Sequence, residues 1–149
     1  RFKSRMPELK KQIHKLCIFC KRNLTKKIHT THNPLVYWEM ITYLLAIGHA
    51  YHYLYEYLRK NQKKMKIGGG IKDYLTATNE YFDMLYDAHY EKKTDKIFLM
   101  NKTKKKIVFT WPENLLEEGK ENAVMVSKLS YIARITGLCS GSVYYAIVD

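Results

Sequence analysis

Apolar residues recur along this chain mostly at steps of three and four, the repeat of helices with one buried face. Leu9, Ile13, Leu16, Cys17 and Cys20 fall on one side of a segment from Pro7 to Arg22, with lysines between them. Asn33-Pro34 then reads as a helix start, an amide N-cap before a proline whose missing N–H costs nothing in the first turn. A long helix to about Gln62 follows. Its mixed stripe is narrow (Glu39, Thr42, Ala46, His49, Tyr53, Glu56, Lys60), and both flanks are apolar, so it needs partners on most sides. That predicts either the central helix of the domain or a homodimer interface through residues 34–62. A membrane span is disfavoured, because Glu39, His49, His52 and Glu56 would be costly in hydrocarbon.

Gly68-Gly69-Gly70 ends a basic linker and starts a new segment. From Ile71 to Ala88 the helical repeat continues through Tyr74, Leu75, Tyr81, Phe82 and Leu85, while Asp73, Glu80, Asp83 and Asp87 make the other side acidic. Lys96 to Met100 and Ile107 to Trp111 are β-prone runs around Asn101-Lys102-Thr103-Lys104, which predicts a β-hairpin with a very basic tip. Pro112 then opens a further helix, with Glu113, Glu117 and Glu118 near its start. The expected fold is therefore mostly α with one β-hairpin, an α+β class. It divides into residues 1–67 and 68–149, or forms one compact domain; 149 residues allow nothing larger.

Charge narrows the partners. Lys and Arg number 26 against 14 Asp and Glu, a formal charge of +12, which points to a polyanion, nucleic acid ahead of an anionic membrane surface. The three cysteines, Cys17, Cys20 and Cys139, lack the density of a disulfide-stapled domain, and no signal peptide is visible; an intracellular location in cytoplasm or nucleus is expected. Arg1 in place of Met, and an apolar pattern still running at Asp149, suggest a piece of a longer protein. Lys in excess of Arg and 13 tyrosines suit an AT-rich genome, such as that of a virus or mobile element.

The last twenty residues, from Leu129, resemble a helix-turn-helix of the repressor, recombinase and transposase type. Ala133 supplies the small residue of the first helix and Gly137 the turn; Val143 supplies the apolar lock of the second helix, and Ser140 its N-cap. The resemblance implies that the outer helix docks in the major groove of DNA. That helix contains no Arg, Lys, Asn or Gln, so bidentate reading of bases is not offered. Ser140, Ser142, Tyr144 and Tyr145 are the expected base-proximal residues, with Lys128, Arg134, Lys104, Lys105 and Lys106 on phosphates.

Other constellations are weaker. Cys17 and Cys20 with His29 and His32 form the donor set of a zinc site, but the spacing is poor and two buried thiols explain the pair as well. His49, His52 and Glu56 could ligate a metal or form an internal hydrogen-bonded network, and Asp83 and Asp87 read as a solvated edge. Neither a phosphate-binding glycine loop nor a nucleophile motif is present, so no enzyme activity and no cofactor are expected. The expected function is DNA binding in a regulatory, replication or mobile-element role. The alternatives are an interaction or oligomerisation module built on residues 34–62, and an accessory that binds RNA or single strands.

Overall fold

The structure, a computed structural model, describes residues 5–26, 33–63, 65, 67–119 and 122–148. Its elements are α1 (Arg5–Thr25), α2 (Pro34–Asn61), α3 (Gly69–Glu91), α4 (Thr94–Lys105), a π-helical turn (Lys106–Thr110), α5 (Trp111–Glu117) and α6 (Ala123–Val148). Asn33 caps α2 as its sequence suggests: the side-chain carbonyl accepts from the Val36 N–H at 3.4 Å, and Pro34 fills the first turn. α3 closes on Lys92, whose left-handed backbone (φ 53°) lets its N–H return to the Ala88 carbonyl.

Among the described residues there is no strand, so the fold is all-α and the expected hairpin is absent. The residues assigned to it run without a break from α4 through the π turn into α5. Ile97, Met100, Ile107, Val108 and Leu115 are all buried, a helical repeat that outweighs local β preference once a core lies on one side. Pro112 explains the irregularity. Lacking an N–H, it cannot bond the carbonyl four or five residues back, Val108 or Ile107, and its ring would crowd a regular turn. Side chains of neighbouring helices take those carbonyls instead: Tyr74 Oη donates to Ile107 O at 2.8 Å and Ser130 Oγ to Val108 O at 3.3 Å. The wide turn is thus held from α3 and α6.

The helix-turn-helix is absent too. Ala123–Val148 is one unbroken helix, and Gly137, expected to turn left-handed, is helical and buried. Its glycine serves close approach: a Cβ there would stand 3.2 Å from Tyr81 Oη. Burial outweighs the helix propensity that glycine forfeits, about 1 kcal/mol. Val126, Leu129, Ile132, Ala133 and Val143 are each at most 2% exposed, and α6 packs against α2, α3 and α4. The central position expected of α2 therefore belongs to α6. α2 finds its partners within the chain, α6 on one flank and α1 on the other. Its tyrosines are tied across the fold, Tyr51 Oη donating to Asn79 at 2.8 Å and Tyr57 Oη to Asn122 at 3.2 Å. One core joins α2 to the helices that follow it, and α1 lies outside on α2. No described helix is long and apolar enough to cross a membrane.

Candidate nucleic-acid interface

α6 shows solvent one narrow stripe: Val124, Ser127, Tyr131, Arg134, Leu138, Gly141, Tyr145 and Val148, at steps of three and four. Two walls flank it. On one side α2 is tied to α6 by Ser142 Oγ donating to Glu39 Oε2 at 2.7 Å, while the Lys128 ammonium lies 5.8 Å from the Tyr57 ring centre. On the other side the Arg134 guanidinium lies 5.6 Å from the Phe109 ring and Lys106 lies 5.5 Å from Trp111. The Lys104 stem passes Gly137, where a Cβ would meet it at 3.5 Å. Beyond it the Phe98 ring meets Tyr144 edge-on at 6.2 Å.

Lys104, Arg134 and Lys128 thus flank one face of α6, while Lys105 and Lys106 are exposed where α4 runs into the π turn. Aromatic rings open to solvent lie on or beside the same stripe: Phe109 at 42% and Tyr131 at 56% exposed near Arg134, and Tyr145 at 58% exposed two turns beyond Gly137. A hollow of about 310 Å³ joins Phe109, Tyr131, Arg134 and Glu113. Ion pairs among the described residues occupy Arg59, Lys93 and Lys96, and none of the cations on this face.

The expected base-proximal residues fare differently. Ser140 and Ser142 are each 3% exposed and spend their hydroxyls internally, Ser140 on the Gly137 carbonyl at 2.8 Å and Ser142 on Glu39. Tyr144 is half-buried between Phe98 and Tyr145, and only Tyr145 stands free of the surface. Phe109 belongs, with Phe98 and Trp111, to the rings that the sequence offers as stacking surfaces beside the basic run 102–106, whereas Tyr131 is not singled out there. The signal for Tyr131 is the eight-member stripe of α6, visible once 123–148 is read as one helix.

The cysteine and histidine candidates do not converge. Cys17 is buried and Cys20 exposed on α1, and His29 and His32 lie outside the described residues. Burial, reinforced by Cys20, pushes the Cys17 thiol up, and burial pushes Cys139 to about 12. Among the described residues no group of His, Cys, Asp or Glu is disposed to hold a metal ion, and His49, His52 and Glu56 do not form one. Asp83 is exposed, and Asp87 approaches Lys96 at 3.8 Å. Compared with protein-family profiles, curated proteins and solved structures, the chain matches none of them.

Proposed function

We propose that the protein binds nucleic acid through this face, single strands ahead of duplexes. Lys104, Lys105, Lys106, Arg134 and Lys128 hold phosphates while Phe109, Tyr131 and Tyr145 stack bases. The observation that carries the reading is the interleaving of unpaired cations with exposed rings along one side of α6. A groove-reading outer helix is not part of it, because the residues that would read are buried. With phosphates and ring faces as the contacts, sequence preference is weak and the net charge of +12 supplies attraction at a distance.

Fluorescence anisotropy with a single-stranded oligonucleotide and the duplex of the same sequence tests it. The single strand is expected to bind tighter, and Tyr131→Ala to weaken it by about 1–3 kcal/mol while leaving weak duplex binding nearly unchanged. Equal affinity for both forms, untouched by Tyr131→Ala, overturns the stacking role.

A second reading rests on the same stripe. Val124, Leu138 and Val148 are 45%, 48% and 51% exposed, an apolar seam that a partner protein could cover. Light scattering on wild type and Leu138→Lys separates the two: an oligomer that the substitution dissolves, with no oligonucleotide affinity, favours this second reading.

A further inference from the structure

The two helices outside that face, α1 and the middle of α2, enclose a cleft of about 520 Å³ on which six nitrogen-bearing side chains converge. Its geometry starts at Gly48, where a Cβ would stand 3.2 Å from Ile13 Cγ2, so α1 sits unusually close to α2. The next residue on each helix is a histidine, and the contact lays His14 against His49 with ring centres 6.1 Å apart and planes 17° off parallel. Lys10, Lys11 and Lys15 from α1 and His52 from α2 complete the walls. The Lys10 ammonium lies 5.2 Å from the Tyr53 ring. His52 Nδ1 is buried and has no hydrogen-bond partner among the described residues.

No carboxylate lines the cleft among the described residues. Like charges crowd it instead: burial first, then Lys10, His14 and His52, hold the His49 imidazole below its usual range. Among the described residues the lining supplies that cluster no counter-charge, and Glu56 stands beside His52 outside the lining. Ammonium groups and protonated imidazoles are donors only, and a tetrahedral oxyanion presents acceptors in several directions at once. We propose that this cleft binds a dianionic phosphoryl group, such as a terminal phosphate, held by Lys10, Lys11, Lys15 and His14 of α1 and by His49 and His52 of α2. The site is separate from the α6 face and stands or falls independently of it.

The groups facing His49 are Lys10 and His14 from α1 and His52 on its own helix, with Glu56 beside His52. Binding raises the pKa of any imidazole it contacts, so the anion is held tighter as pH falls. The test is NMR of the imidazole side chains of the full chain, titrated with sulfate and then inorganic phosphate at constant ionic strength. Sulfate keeps its charge throughout and isolates the histidines. Saturable shifts of His14, His49 and His52 in the millimolar range are expected, with sulfate affinity rising as pH falls from about 8 to about 6, by less than about tenfold for each imidazole raised by one unit. His49→Gln and, on the exposed side, Lys11→Gln should each weaken binding about tenfold, the scale of one charge-assisted hydrogen bond. A 5′-phosphorylated oligonucleotide that displaces sulfate where its 5′-hydroxyl twin does not assigns the group to a nucleic-acid end; displacement by free phosphate alone assigns a small phosphorylated ligand. Imidazole signals that stay put, or that move equally with chloride, overturn the cleft and leave the α6 face untouched. Loss of oligonucleotide binding with the shifts retained does the reverse.

Discussion

α1 and α6 are long helices built from opposite materials. Twelve residues of α6 are buried, its hydroxyls at Thr136, Ser140 and Ser142 are all bonded within the fold, and it carries two cations. α1 buries Cys17 alone, leaves Leu16 63% and Phe19 62% exposed, and carries six cations against Glu8. One helix forms the centre of the core, and the other rests on its outside with a positive charge that its single acidic residue, Glu8, does not balance. The difference separates two uses of a helix: small neutral residues permit close packing, whereas the α1 lysines stand around an open cleft and supply the charge of the proposed anion site.

Truncation should expose that contrast most strongly. Leu129→Ala, at a fully buried site on α6, is expected to cost about 2–5 kcal/mol in urea denaturation, whereas Leu16→Ala on α1 stays within about 0.5 kcal/mol. Equal losses would make α1 part of the core. Tyr74→Phe comes next. It strands the buried Ile107 carbonyl of the π turn and should cost about 1–3 kcal/mol, against little for Tyr86→Phe on the exposed side of α3.

Acid should act on the sites where cations crowd. Burial and neighbouring positive groups hold His49 and His89 below the usual imidazole range, so the unfolded chain takes up protons that the folded chain refuses. Stability is then intact above about pH 6.5 and declines as pH falls through that value and below. A melting temperature that rises on acidification to about pH 5.5 would contradict this assignment. The mildest probe substitutes nothing. A thiol reagent at about pH 8 should label Cys20 first, Cys17 slowly and Cys139 only on unfolding, in the order of exposure and thiolate access.

Much of the helical layout was legible in the sequence because its signals are local. Asn33-Pro34 marks the start of α2 to the residue, and the acidic side of α3 lies in solvent at Asp73, Glu80 and Asp83. The two misreadings share a cause. Lys96 to Trp111 and Gly137 mislead by intrinsic preference, and in both places a tertiary partner decides: Tyr74 and Ser130 hold the π turn open, and Tyr81 leaves little room for a Cβ at Gly137. Reading a break at Gly137 also hid the stripe that places Tyr131, Arg134 and Tyr145 on one side. The α1–α2 cleft was illegible for a further reason. His14 and His49 are far apart in sequence, and the packing of α1 on α2, tight at Ile13 and Gly48, brings them together.

The central claim, a polyanion bound at several phosphates, is tested most directly by the salt dependence of single-strand affinity. Contacts from Lys104, Lys105, Lys106, Arg134 and Lys128 predict a log–log slope of about −3.5, at roughly −0.7 per phosphate, falling in magnitude by about 1.4 when Arg134 and Lys106 are both changed to Gln. A slope near zero, or oligonucleotide binding unmoved by the double substitution, would contradict it.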